Sequence, residues 1–352
     1  MSGVRARAVA LACLLLILFL IFLRASPVAQ PSPAPEVSGA IEVRFTRPNL
    51  AGPQTLRGGP EAALVEAIDG AERSVDMAIY DLDLASVRQA LLRAWRRDVN
   101  VRLVVESDNL DNPETHALIA AGIPVVADGR DPLMHDKFTV IDGDEVWTGS
   151  MNYTVNDAYY NDNNLIRLLS AAAAQAYAAE FSEMFDQASF GALSAAGEQK
   201  QPVALPAGPI EIYFSPDDGA ARRIVELIVG AEEQVAFLAF ALTSEAIAGA
   251  LEQRAAGGVE VRGVMDAGQA HSAGSRHEEL RQAGVEVRLD GNPDRMHHKV
   301  IVIDGRTVIT GSYNFSRSAE TQNDENVVIL HDPEAAARFL EEFERVFALA
   351  TP

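Results

Sequence analysis

Two hydrophobic periods alternate along this chain, and the whole alternation occurs twice. Runs of β-branched or alternating apolar residues read as strands, and stretches with apolar positions three and four apart read as helices. Ile41-Glu42-Val43-Arg44-Phe45 is answered by Ile210-Glu211-Ile212-Tyr213-Phe214. Helical spacing follows over 62–68 and 224–228, then strand patterns over 75–80 and 235–240, and, after a second helix, over 99–105 and 259–264. Further strands at 137–141 and 299–303 run into Asp142-Gly143 and Asp304-Gly305, hairpin signals that lead to return strands at 145–148 and 307–310. Strand alternating with helix implies an α/β fold in which a sheet is covered by helices on both sides. The offset between copies is 169 at the first strand (210−41), 160 in the middle (235−75) and 162 near the hairpin (299−137), which places length changes in loops. Two lobes are expected, 41–188 and 210–350, joined by an Ala/Gly/Gln/Pro-rich linker over 189–209.

Ahead of the first lobe, Arg5 and Arg7 precede an unbroken apolar run at 8–23, then Arg24 and a Pro/Ser/Ala stretch at 26–35. Residues 1–24 read as an export signal or membrane anchor and 25–40 as a proline-rich tether. The run is long for a signal core and short of the roughly 20 residues that span a bilayer, so cleavage and anchoring both stay open. In either case the positive-inside rule predicts a body outside the cytoplasmic membrane, secreted or anchored on its outer face through 8–23.

The composition, 48% hydrophobic and 22% charged, is that of a globular protein. A net charge of −21 repels phosphate backbones, so any affinity for nucleic acid needs a local positive site. The single cysteine, Cys13, lies in the apolar run, which excludes an intrachain disulfide and a cysteine zinc site; no His/carboxylate spacing points to a metal, and neither metal nor cofactor is expected.

Lysine is rare: only Lys137, Lys200 and Lys299 occur, and the first and last sit in matching phrases, Met134-His135-Asp136-Lys137 and Met296-His297-His298-Lys299. The phrases stay in register through Asp142 and Asp304, then Gly149-Ser150-Met151-Asn152 and Gly311-Ser312-Tyr313-Asn314, each 162 residues from its counterpart (297−135). On a strand, His and Lys two apart share a face, whereas the Asp falls in the turn. Asp142 and Asp304 are therefore expected to brace structure, while Ser150 with Asn152, and Ser312 with Asn314, point together into a site. Two such half-sites would surround a phosphoryl group with imidazoles, ammonium groups, hydroxyls and carboxamides, holding its nonbridging oxygens. One histidine can attack phosphorus while the other handles the proton of the leaving alcohol. His116, His271, His277 and His331 lack repeat partners and read as surface or helix-end residues. His298 faces away on strand parity, Trp147, Tyr153, Tyr159 and Tyr160 read as packing, and Arg93, Arg96 and Arg97 as a solvated helix end.

The doubled His-x-Lys-x4-Asp and Gly-Ser-x-Asn phrases resemble the paired signature of the phospholipase D superfamily, over nearly everything after residue 40. The resemblance implies two pseudo-symmetric α-β-α sandwich lobes with mixed sheets, one active site at their interface, metal-independent phosphodiester chemistry and a phosphohistidine intermediate. In that superfamily a carboxylate eleven residues beyond the Asn commonly orients the histidine. Asn314 leads to Glu325, but Asn152 leads to Asn163. Glu325 is accordingly expected behind His297, leaving His135 without a carboxylate. By family habit His135 is assigned as nucleophile and His297 as general acid/base. The expected activity is an exported phosphodiesterase that hydrolyses or transfers phosphatidyl groups, in a monomer carrying both half-sites. The alternatives are a metal-independent nuclease and a catalytically weak module that binds phosphate esters.

Overall fold

Each half of the chain builds one seven-stranded mixed sheet, and the two sheets repeat the same strand order. The computed structural model describes residues 40–48, 55–191 and 202–351; the expected export segment, nearly all of its tether, and the middle of the linker with Lys200 lie outside these. The first lobe runs β1 (Ile41–Phe45), α1 (Glu61–Gly70), β2 (Ser74–Ile79), α2 (Ala85–Arg96), β3 (Asn100–Val105), α3 (Pro113–Ala120), β4 (Val125–Ala127), β5 (Lys137–Ile141), β6 (Glu145–Gly149), α4 (Val155–Tyr159), β7 (Asn164–Leu169) and α5 (Ala171–Gln187). The second runs β8 (Ile210–Ser215), α6 (Ala220–Val229), β9 (Gln234–Ala239), α7 (Glu245–Ala256), β10 (Glu260–Met265), α8 (His277–Gln282), β11 (Glu286–Leu289), β12 (Lys299–Ile303), β13 (Thr307–Gly311), α9 (Arg317–Thr321), β14 (Glu325–Leu330) and α10 (Pro333–Leu349). The sheets read β1-β7-β6-β5-β2-β3-β4 and β8-β14-β13-β12-β9-β10-β11. In each, three strands joined by helical crossovers are parallel, as in β2-β3-β4, and the hairpin strands are antiparallel, as in β5-β6-β7.

Both faces of each sheet are covered, which is why β12 is buried along its whole length. On the outer face of the first sheet α1 and α2 contribute Leu64, Ile68 and Leu91; on that of the second α6 and α7 contribute Ile224, Ile228 and Leu251. Between the sheets lie α5 and α10, and here one core belongs to both lobes. The Tyr177 ring of α5 meets Phe138 of β5 at 5.0 Å and, across the lobe boundary, Phe214 of β8 at 5.2 Å. Phe339 of α10 likewise meets Phe45 of β1 at 5.0 Å. Each such buried ring contributes roughly 1.5–3 kcal/mol, so the lobes are held as one body by an apolar seam.

The hairpin aspartates act as anchors. Asp142 and Asp304 adopt φ of 53° and 50°, and each is followed by a glycine with positive φ, the backbone of a tight hairpin turn. The Asp142 carboxylate accepts the backbone N–H groups of Glu72, Arg73 and Ser74 at 2.9, 2.7 and 2.9 Å. Asp304 does the same for Glu232, Glu233 and Gln234 at 3.1, 2.8 and 3.0 Å. Each aspartate thus pins the loop before β2 or β9 to the hairpin that follows the His-Lys phrase. Burial alone would raise both carboxyl groups, but the N–H donors, with Arg73 or Arg306, outweigh it and hold them below the usual range. A depressed folded-state pKa contributes stability above the unfolded value, near 3.9, that is lost as pH falls through the folded value. We expect Asp304→Ala to lower the unfolding free energy by about 1–3 kcal/mol at pH 7. In urea titrations its difference from the parent protein should shrink below about pH 4.

Candidate active site

At the lobe boundary the strand ends of each half pair with the other half. Met134 forms a parallel bridge with Asp324, and Met296 one with Asp162. The His135 N–H donates to the Asp324 carbonyl at 2.9 Å and the Asp324 N–H to Leu133 at 2.9 Å; the His297 N–H donates to Asp162 at 2.9 Å and the Asp162 N–H to Arg295 at 2.8 Å. The residue after each aspartate, Glu325 or Asn163, is thereby set against the histidine of the opposite lobe. Within each lobe, the glycines of the Gly-Ser phrases let β6 and β13 lie close against the strand start that carries this residue. Gly149 and Gly311 have φ of 144° and 140°, and a Cβ there would stand 2.5 Å from the Asn164 carbonyl oxygen or 2.2 Å from that of Asn326.

The histidine partners are consequently crossed. His135 Nδ1 lies 2.7 Å from Glu325 Oε2, and His297 Nδ1 lies 3.0 Å from Asn163 Oδ1. This corrects the expectation that Glu325 stands behind His297. Counting along one copy compares equivalent positions, but the bridges deliver each position to the other copy. Glu325 also accepts from the Ser312 hydroxyl at 2.7 Å and Asn323 Nδ2 at 3.3 Å. Asn163 Oδ1 accepts from Ser150 at 2.9 Å, while its Nδ2 donates to the Asp157 carbonyl at 3.2 Å. Since that carbonyl only accepts, the amide orientation is fixed, and His297 must donate from Nδ1 to Oδ1. An ionised Glu325 requires the same of His135. Each ring then keeps its lone pair on Nε2.

The serines differ from expectation too. Ser150 and Ser312 are fully buried, donate to Asn163 and Glu325, and accept the backbone N–H groups of Asn164 and Asn326 at 3.0 Å each. They brace the groups behind the histidines instead of opening into the pocket. Asn152 and Asn314 each keep a buried carboxamide oxygen with no hydrogen-bond partner among the described residues.

Lys137 and Lys299 are almost wholly buried, and each Nζ donates to the carbonyl of its own histidine, at 2.7 and 2.8 Å. Lys137 lies 4.9 Å from the centre of the Tyr80 ring and Lys299 5.0 Å from that of Phe240. The same rings stand edge-on to His135 and His297, at 4.9 and 4.7 Å. Tyr80 and Phe240 thus belong to the site, although the sequence reading took them only as strand ends. Their signal was an aromatic residue at equivalent places in both copies.

Burial first, and then the two ammonium groups, hold both imidazoles well below their ordinary pKa and so favour the neutral form. Burial pushes Lys137 down to about 8 against the pull of Glu325, Asp157 and Asp136. Lys299 is lowered well below its usual value by burial and by Lys137. Burial raises Glu325 to about 7, opposed by Lys137, Ser312 and Asn323. Asp157 of α4, 3.5 Å from His297 Nδ1, is a further carboxylate that the motif did not mark.

A second pair of asparagines crosses the same boundary. Asn326 Nδ2 donates to Asp136 at 2.7 Å, and Asn164 Nδ2 lies 3.1 Å from His298 Nδ1. His298 therefore faces away from the pocket, toward Asn164 and Glu342. Among the remaining histidines His116 and His271 are exposed, His331 bonds Glu211, and His277 opens α8 as a helix-end residue, its side chain buried. Trp147, Tyr153 and Tyr159 pack or bond internally. Among the described residues no group of three or more His, Cys, Asp or Glu side chains could hold a metal ion.

A family model described as "Cardiolipin synthase, PLD-like domain" matches the chain in two parts, residues 64–185 and 224–347. The chain belongs to the phospholipase D-like phosphodiesterase family. It is 32% identical to a mitochondrial cardiolipin hydrolase of Chlamydomonas reinhardtii, a match covering 44% of this chain and 82% of that protein. It is 36% identical to a phospholipase D of Rickettsia conorii, over 38% of this chain and 66% of the relative. Both matches are about the size of one lobe. Across both lobes the fold is similar to that of the phosphatidylserine synthase of Haemophilus influenzae, with a TM-score of 0.62 at 12% identity, covering 82% of this chain and 83% of that one.

The crossed pairing predicts a specific coupling. In double-mutant cycles on unfolding free energy, His135→Ala with Glu325→Ala should show an interaction of about 1–3 kcal/mol, whereas His297→Ala with Glu325→Ala should show less by about 1 kcal/mol or more. Equal couplings would contradict the assignment.

Proposed function

We propose that the protein is an extracytoplasmic phosphodiesterase that transfers the phosphatidyl group of a phospholipid to His135 and then to water or an alcohol. The observation that carries this reading is the asymmetric support of two otherwise equivalent imidazoles, a carboxylate behind His135 and an amide behind His297. When Nε2 of His135 bonds to phosphorus, positive charge grows on the ring, and Glu325 at Nδ1 offsets it. The bond from phosphorus to the head-group oxygen breaks as His297 gives that oxygen its proton. His297 then takes a proton from the incoming water or alcohol, whose oxygen displaces His135 from phosphorus. The diester anion itself offsets the repulsion between lysines and imidazolium, so its arrival favours the protonated His297 that the first step needs. Lys137, Lys299 and the carboxamides of Asn152 and Asn314 are assigned to the nonbridging oxygens.

A phospholipid is favoured over a polynucleotide because the net charge is −21 and several arginines of the first lobe are engaged by the protein's own groups. Arg93 is paired with Asp69, Arg97 caps the carbonyls of Ile68 and Ala71, and Arg102 is paired with Asp76. The Arg5-Arg7 and apolar 8–23 pattern supports a place at or beyond the cytoplasmic membrane, and the presence of both half-sites in one chain supports action as a monomer. The names of the cardiolipin hydrolase and phospholipase D relatives fit the same substrate class.

Assays in EDTA with phosphatidylcholine, cardiolipin, and single- and double-stranded DNA should show release of the lipid head group or glycerol moiety well above DNA cleavage. Preferential cutting of DNA would replace the lipid reading with the nuclease one, and complete inhibition by EDTA would contradict metal-free chemistry. His135→Ala should lower kcat by about a thousandfold or more and abolish acid-labile label trapped from a radiolabelled diester, whereas His297→Ala should slow turnover but retain label. Label retained after loss of His135 would overturn the order of roles.

A further inference from the structure

We propose that Asp157 is the carboxylate of the His297 half-site, a positioning residue that takes over electrostatically from the glutamate that position 163 lacks. The inference rests on the reading of His297 as the acid/base partner of His135. The two copies distribute their carboxylates in opposite ways. Positions 157 and 163 carry Asp and Asn, whereas their counterparts, 319 and 325 at an offset of 162 (319−157), carry Ala and Glu. Each half keeps one carboxylate, but on a different element: the strand start of β14 in the second lobe, the short helix α4 in the first.

Three contacts make Asp157 part of the site. Its Oδ2 lies 3.5 Å from His297 Nδ1, beside the Asn163 oxygen that accepts from that atom. The same Oδ2 accepts the backbone N–H of Asn152 at 2.7 Å, and Asn152 belongs to the Gly-Ser-x-Asn phrase. Its other oxygen accepts from Asn161 Nδ2 at 2.5 Å. Asn161 is the counterpart of Asn323 (323−161 = 162), which in the second lobe donates to Glu325 at 3.3 Å. The repeated asparagine thus serves the carboxylate of its half wherever that carboxylate stands. The Asp157 side chain is 4% exposed, so its charge acts with little screening by solvent.

The charged groups facing His297 are Lys299 on its own strand, Lys137 and His135 from the first lobe, Arg295 at the preceding loop, and Asp157. Four of these oppose a proton on the ring, and Asp157 is the negative one within 4 Å of its nitrogen. Beside the amide oxygen and 3.5 Å from the ring nitrogen, against 2.7 Å for Glu325 and His135, it favours the imidazolium without binding it as tightly. That arrangement suits a group that must both give and take a proton.

The test uses the full chain and the phosphodiester substrate found active in the assays above. Asp157→Asn should lower kcat by about 10- to 100-fold with KM changed less than about twofold, and shift the alkaline limb of the kcat profile to lower pH. Label trapped on His135 should persist. Asp157→Ala should behave similarly, and adding Asn163→Glu to it, which rebuilds the second lobe's pattern in the first, should restore kcat and the alkaline limb. The proposal is overturned if Asp157→Asn lowers the melting temperature while leaving the alkaline limb in place. It is equally overturned if the Asp157→Ala/Asn163→Glu protein melts like the parent yet turns over no faster than Asp157→Ala. Failure of the underlying reading is separate, because it appears in the parent protein as absence of label on His135.

Discussion

The site depends on two short backbone bridges, Met134 with Asp324 and Met296 with Asp162, at which the halves of the chain exchange strand ends. Each bridge fixes a histidine and the partner of the other lobe's histidine within one hydrogen-bonding frame. The shared core around Tyr177 and Phe339 supplies the burial that holds the bridges, and the aspartate anchors at the hairpins keep the strands from drifting out of register. If the lobes moved relative to one another by the width of one bond, both Nδ1 contacts would open together. Precision in the pocket is therefore a property of the boundary and not of either lobe alone.

Inside that frame the electrostatics are tightly opposed. Two ammonium groups are buried beside two imidazoles, which only aromatic faces, backbone carbonyls and a few carboxylates make tolerable. The outer ring of partners continues this compensation: burial would raise Glu342, but His298 and Arg345 outweigh it and hold the carboxyl at about 2. Asp136, in the position equivalent to His298, is raised by burial to about 7. The two lobes thus solve the same problem, the support of a crossing asparagine, with different groups, a carboxyl from the first lobe and an imidazole from the second.

Much of this was legible in the amino-acid sequence. Period-two and helical spacing placed the paired strands and helices, and the constant offset of 162 over the His-Lys, Asp and Gly-Ser phrases marked the residues that converge. Asp142 and Asp304 were readable as braces because strand parity takes them out of the pocket. The histidine partners were not readable in the same way. A sequence offset aligns Glu325 with Asn163, yet says nothing about which lobe each will face, and the pairing is set by bridges at Met134 and Met296 that have no signature. The serine hydroxyls were misplaced for a related reason: parity gives a side but not the identity of what stands there, and Glu325 and Asn163 occupy the space first. Asp157 was hidden because its counterpart is Ala319, so a search for residues kept in both copies passes over it.

The crossed, unequal partners bear on how such a chain can change over time. In an assembly of two identical subunits, one codon change at the position of Asn163 would appear behind both histidines at once. With both copies in one polypeptide, the amide and the carboxylate can be inherited separately. Fusion of the two halves thereby releases the pocket from symmetry, and a division of labour between two formerly interchangeable imidazoles becomes reachable by single substitutions.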